Sequence, residues 1–130
     1  MANEAVKVEG PYEVHDYTVA DGTQISGGSI CVLTDPRTAA KSSGNGTAFA
    51  GIAATEKKAS NGKVQLGLYT KGYFKLTAAA AASISAGNQV VISGANLIRE
   101  AVAADLLTGA VIGVAQEDIA ASTTGEVKVG

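Results

Sequence analysis

Apolar and polar residues alternate in short runs along this chain, and glycine punctuates them. In "VKVEG", Val6 and Val8 alternate with Lys7 and Glu9, the two-residue period of a strand. Gly10-Pro11 interrupts the run. "YEVHDYTVADG" resumes it, with Tyr12, Val14, Tyr17 and Val19 as the residues for burial. Residues 1–20 therefore read as an extended N-terminal arm ahead of a single β domain over 21–130.

Two stretches then repeat. "ISGGSICVLTD" is echoed by "ISAGNQVVISG", which aligns Gly28 with Gly87 and Ile30–Thr34 with Gln89–Ser93. "AFAGIAATEKK" is echoed by "AVIGVAQEDIA", which aligns Gly51, Ile52 and Ala53 with Gly113, Val114 and Ala115. Further on, Gly62, Val64, Leu66 and Gly67 align with Gly125, Val127, Val129 and Gly130. The halves so defined cover about 25–67 and 84–130. Each predicts short strands with Gly, Asn, Ser and Asp at the joints, the pattern of a sandwich or barrel. Two copies are too few to stack as a solenoid.

"LYTKGYFKLTAAAAA" lies between the halves. Leu66, Leu68 and Thr70 point one way. After a Lys71-Gly72 turn, Phe74 and Leu76 point inward and Tyr73 and Lys75 outward, which predicts a hairpin. The alanines 78–82 follow. Alanine is the best helix former, Thr77 suits a cap and Gly87 a left-handed stop. The run predicts one or two helical turns crossing between the halves, held by packing because it is too short to stand alone. "AVAADLL" predicts a second such element ending near Gly109. The loop Thr34–Ala48 is the longest polar stretch, and reads as either a mobile tip or a contact loop. The expected fold class is mainly β: a small pseudo-twofold β-barrel or sandwich of short strands, with one or two short helical turns and the extended arm.

At 130 residues the chain has the size of one domain, able to bury roughly two-thirds of its unfolded surface. Net charge is −2 and no basic run exceeds Lys57-Lys58, so no nucleic-acid groove is expected. No apolar run is long enough to span a bilayer, so no membrane partner is expected either. "MANEAVKVEG" lacks a basic-then-apolar secretory pattern, which predicts synthesis in a cytoplasm-like compartment. Asn45-Gly46-Thr47 reads as a turn rather than a glycan acceptor.

The residues that carry chemistry are few. Cys31 is single and reads as a small buried hydrophobe. His15 is the one histidine, with no second metal ligand at a recognisable spacing and no partners for a triad. Gly62-Lys63 is followed by Val64, where a phosphate-cradling loop needs Ser or Thr. Glu56, Glu117 and Asp118 follow the two Gly-apolar-Ala strands. They are either a carboxylate pair or, in the simpler reading, solvated strand ends beside Lys57 and Lys58. The expectation is a protein that is not an enzyme, with no catalytic residue, no cofactor, no metal site and no small-molecule substrate. Such a chain acts by surface and shape, on a partner or on itself.

Taken in order, "YTVADGTQISGGSICVL", "FAGIA", "NGKVQLGLYTKGYFKL", "SISAGNQVVIS", "VIGVAQED" and "GEVKV" resemble the small capsid decoration (cement, or head-stabilising) proteins of tailed bacteriophages. The resemblance covers roughly 17–130. The chain departs from that pattern in its long Thr34–Ala48 loop and in Asn88, where the family more usually has Asp. The resemblance implies a virion structural protein, made in the host cytoplasm and placed on the capsid exterior. It implies binding to the major capsid protein lattice, and to itself as a homotrimer. The arm then lies on the shell through Val6, Val8, Tyr12, Val14 and Tyr17, since tyrosine is enriched at interfaces, with Tyr73 as a further contact residue. The alternative is a virion-surface or secreted carbohydrate- or host-binding module, with Tyr69 and Tyr73 as its aromatic platform.

Overall fold

The computed structural model describes residues 3–130. Nine strands form one sheet: β1 (Val6–Thr18), β2 (Ile30–Asp35), β3 (Thr38–Lys41), β4 (Phe49–Ala53), β5 (Gln65–Ala78), β6 (Gln89–Ile92), β7 (Leu97–Glu100), β8 (Val111–Ala115) and β9 (Thr124–Val129). One 3-10 turn, Ala103–Leu107, falls within the stretch where "AVAADLL" predicts it. With 52% strand and 4% helix the chain is mainly β, as its alternation predicts. The sheet closes on itself twice instead of forming one regular barrel. β1, β3, β2, β4 and β5 make one closed set because β1 pairs with β5. β5, β7, β6, β8 and β9 make another because β9 returns to β5. β5 belongs to both.

The two sets repeat the same pairings, 59 positions apart along most strands and 62 apart along β4 and β8. Thr18 pairs in parallel with Thr38, as Thr77 does with Leu97. Cys31 faces Lys41 and Leu33 faces Ala39, as Val90 faces Glu100 and Ile92 faces Ile98. Cys31 pairs with Gly51 and Val90 with Gly113, as the aligned glycines predict. The last strands differ from the sequence alignment. Ala53 pairs with Leu68 and Ala115 with Val127, so Leu68 is the counterpart of Val127, where Val64 had been aligned with it. A four-residue slip keeps every side chain on its face, so alternation cannot detect it. The first half also takes in residues 14–18 of β1, which pair with 65–69 of β5. The segment expected as an arm is thus a strand of the sheet from Val6 onward. Residues 1 and 2 of that segment lie outside the described residues.

Each half wraps its own core. Ile25, Cys31, Ala39, Ala50 and Ala53 are buried in the first. Their counterparts in the second are Ile84, Val90, Ile98, Ile112 and Ala115. Ile25 pairs with Lys57 where Ile84 pairs with Ile119. Lys57 is only 1% exposed, which corrects its reading as part of a solvated strand end. Its Nζ donates to the carbonyl oxygens of Asp21 (2.7 Å) and Lys58 (3.0 Å) and to Asn61 Oδ1 (3.3 Å). The apolar stem can be buried because the ammonium finds these oxygens.

β5 runs straight through Lys71 and Gly72, where the sequence predicts a hairpin turn. Leu66, Leu68, Phe74 and Leu76 keep one parity across that pair, as a continuous strand requires. Gly72 sits at φ +137°, and a Cβ there would lie 2.4 Å from Tyr12 Cδ1. Only glycine lets the Tyr12 ring rest on this backbone. The alanine run forms no helix. Ala78 ends β5, and one turn follows, closed by Ala82 N–H to Ala79 O at 3.1 Å. Thr77 lies within the strand and caps nothing helical. Too few residues separate β5 from the next paired residue, Ile84, to nucleate a helix, so strand pairing overrides alanine's propensity.

The polar loop is a contact between the halves. Beyond β3, Gly46 N–H donates to Ile92 O and Gly94 N–H to Gly44 O, both at 2.9 Å. Asn96, in the β6–β7 turn at φ +58°, is fully buried. Its Oδ1 accepts Ile30 N–H and its own N–H donates to Ser42 Oγ, both at 2.9 Å.

Asn96→Ala is expected to cost about 1–3 kcal/mol in a denaturant titration, because it leaves the buried Ile30 N–H without its acceptor. Ala80→Leu and Ala81→Leu, in an exposed turn, are expected to leave Tm unchanged. Gly113→Ala is expected to lower Tm clearly, because its Cβ would fall 1.9 Å from the Lys128 carbonyl oxygen.

Candidate interaction surface

Closure gives most strands two neighbours. β1 and the short β3 are the exceptions, since they meet only through Thr18 and Thr38. β1 pairs with β5 along its length, and most of its second edge carries no ladder. A strand edge of this kind presents backbone donors and acceptors to any chain that can lie beside it. Val6 is 59% exposed, Val8 42% and Val14 51%. The register shifts between Lys7 and Val14, around Gly10-Pro11, divide the edge into two shorter segments.

The residues expected to make contacts separate into two groups. Val6 lies opposite Lys75 and Glu9 opposite Tyr73, and Tyr73 in turn lies opposite Lys128 of β9. Val6 and Tyr73 therefore share the outer face of β1, β5 and β9, with Lys71 and Lys75 flanking Tyr73 on its own strand. Val8 falls at the first register shift, and Val14 lies opposite Tyr69. Tyr12 and Tyr17 turn inward instead. Tyr12 packs on Tyr69 (5.2 Å between ring centroids) and on Phe74 (5.5 Å). Tyr17 packs against the first core, with the Arg37 guanidinium 4.8 Å from its ring centre.

Lys7 closes the aromatic cluster. Its Nζ donates to Tyr69 Oη at 3.1 Å and lies 5.3 Å and 5.6 Å from the Tyr69 and Tyr12 ring centres. The Tyr69 hydroxyl raises the Lys7 pKa above its ordinary value, so the ammonium stays charged. A cleft of about 320 Å³ lies beside it, lined by Ala5, Lys7, Ile52, Tyr69 and Phe74. Val6 also borders this cleft, which joins it to the exposed edge.

The other residues singled out for their chemistry are spread over the fold. Cys31 is buried, and desolvation pushes its thiol up to about 12. His15 Nε2 lies 3.7 Å from Glu13 Oε1 on the exposed part of β1. Glu117 Oε2 accepts Glu126 N–H and Asp118 Oδ1 accepts Ala86 N–H, each at 2.8 Å, while Glu56 is exposed. Glu117 and Asp118 thus brace the second half, and Glu56 belongs to the first. Among the described residues no group of His, Cys, Asp and Glu could hold a metal ion, and no helix is long and apolar enough to cross a membrane.

One feature escapes the sequence reading. Val102, Leu106 and Leu107 are 59%, 55% and 89% exposed around the 3-10 turn. Asp105 holds that turn by accepting Val102 N–H at 2.8 Å and pairing with Arg99 at 2.9 Å. The Arg99 guanidinium holds the Asp105 carboxyl below its ordinary range. The signal available in the sequence was the apolar loop 101–109 standing where the first half has the polar loop 42–48. No protein-family model matches the chain, and no curated protein matches it.

Cys31 is expected to resist maleimide in the folded protein at pH 8 and to react fully on unfolding. The unfolded chain loses the thiol proton near the ordinary 9.0 and the folded chain near 12. The unfolded state then binds fewer protons, so stability held below pH 9 is expected to fall as pH rises toward 12.

Proposed function

We propose that this chain is a structural protein of a tailed-phage virion. It decorates and stabilises the outside of an icosahedral capsid by binding the major capsid protein lattice, as a homotrimer. The observation that carries this reading is the long open edge of β1, with Val6, Val8 and Val14 exposed along it and no ladder beyond Thr18. The ordered resemblance to decoration proteins supports it. An extended segment of a capsid subunit lies beside β1, with backbone hydrogen bonds supplying affinity and the valines supplying register. A protein that binds only the assembled lattice stabilises it by its binding free energy. Copies that each bridge neighbouring subunits make modest contacts collectively strong. The carbohydrate-module reading has less support, because Tyr69 is packed against Tyr12 and Phe74 and its hydroxyl holds Lys7, leaving Tyr73 without its partner in a platform.

The test is co-sedimentation with empty expanded shells of the cognate phage. Wild-type protein is expected to pellet at a fixed stoichiometry. Covering an exposed valine is worth about 1.5–3 kcal/mol, so Val6→Glu with Val8→Glu is expected to weaken pelleting by about tenfold or more at unchanged Tm. Full-strength pelleting of the double variant would exclude the β1 edge.

A further inference from the structure

The two halves present corresponding faces in different states. In the first half Ile30 of β2 and Ile52 of β4 are covered, at 0% and 1% exposed. Phe74 belongs to the same buried cluster, and the β6–β7 turn of the second half reaches this face through Asn96, which holds Ile30 N–H. The corresponding residues of the second half are Gln89 and Val114. Gln89 is exposed and Val114 half-buried. With Glu100, Val102 and Leu106 they line an open cleft of about 600 Å³. The exposed Leu107 stands beside it.

The covering turn has a counterpart too. Following the repeat, Ile92 corresponds to Leu33 and Asn96 to Arg37, and Arg37 shares the left-handed conformation of Asn96, φ +52° against +58°. This β2–β3 turn stands in solvent, with Leu33 42% exposed and Thr34 to Arg37 exposed as well. One chain therefore carries a turn without a socket and a socket without a turn.

Charge agrees with this pairing. Lys41 and Ser42, beside the site of Asn96, correspond to Glu100 and Ala101. A docked Arg37 would meet the Glu100 carboxylate, which Ser85 N–H and the Asn88 amide already orient toward the cleft rim. Arg37 uses its Nε on Asp16 O at 2.9 Å, which leaves its terminal nitrogens for a carboxylate.

We propose that the cleft formed by Gln89, Glu100, Val102, Leu106 and Val114 receives the Leu33–Arg37 turn of a second copy of this chain. Chains then join head to tail, through a contact that repeats between molecules the one that joins their halves. Such a contact is heterologous and closes into a ring when its rotation allows. It uses a surface separate from the β1 edge and does not rest on the capsid reading.

Two variants test it on the full-length protein by sedimentation velocity. Leu106→Arg blocks the socket and Leu33→Glu blocks the turn. Both positions are exposed, and unchanged Tm confirms that both variants fold. Wild type is expected as one closed oligomer and each variant alone as a monomer. An equimolar mixture of the two is expected as a dimer and nothing larger, since only one productive contact remains. Wild type that stays monomeric, variants that keep the wild-type mass, or a mixture that stays monomeric would each overturn the proposal.

Discussion

The structure depends on β5 being shared. Residues 65–69 of this strand complete the first closed set through β1 and β4, and residues 72–78 open the second through β9 and β7. One register therefore serves both halves. A slip of one residue would turn Leu66, Leu68, Phe74 and Leu76 outward at once, emptying two cores. A shared strand also explains why no turn interrupts Lys71-Gly72. At Gly72 the strand passes from one half to the other while its pairing continues.

Sharing a strand makes the halves similar in register and unequal in surroundings. The first core is built from smaller side chains at Cys31, Ala39 and Ala50, and it uses the capped ammonium of Lys57 where the second uses Ile119. Ile30 and Ile52 of the first half are buried at the junction, whereas their counterparts Gln89 and Val114 border an open cleft. Asn96 and the Ser42–Gly46 loop join the halves in one direction only. What this closure leaves uncovered is the edge of β1 and β3 beyond Thr18 and Thr38, the cleft beside Glu100 and the exposed β2–β3 turn.

Much of this was legible in the residues. Alternation marked the strands, and the aligned glycines at 28 and 87 and at 51 and 113 marked the two halves in the pairing observed. Other features were hidden for stated physical reasons. The slip in the last strands preserves parity, so Val64 looked like the mate of Val127. Lys57 was hidden because a lysine joins a core only when folding gathers oxygens around its Nζ, here those of Asp21, Lys58 and Asn61. The alanine run was misread because propensity yields to the strands on either side of it. Of the candidate contact residues, Val6, Val8 and Val14 come to the surface, Tyr73 is half-buried, and Tyr12 and Tyr17 pack against the cores. Alternation could not separate them, because the register shifts around Gly10-Pro11 change which face each residue takes.

The most direct measurement is hydrogen exchange of the Val6–Val14 amides, free and on expanded shells. The account predicts marked slowing of these amides on the shell, with the core amides of β2 and β6 unchanged. Equal exchange of Val6–Val14 in both states, in protein that is demonstrably bound, would contradict it.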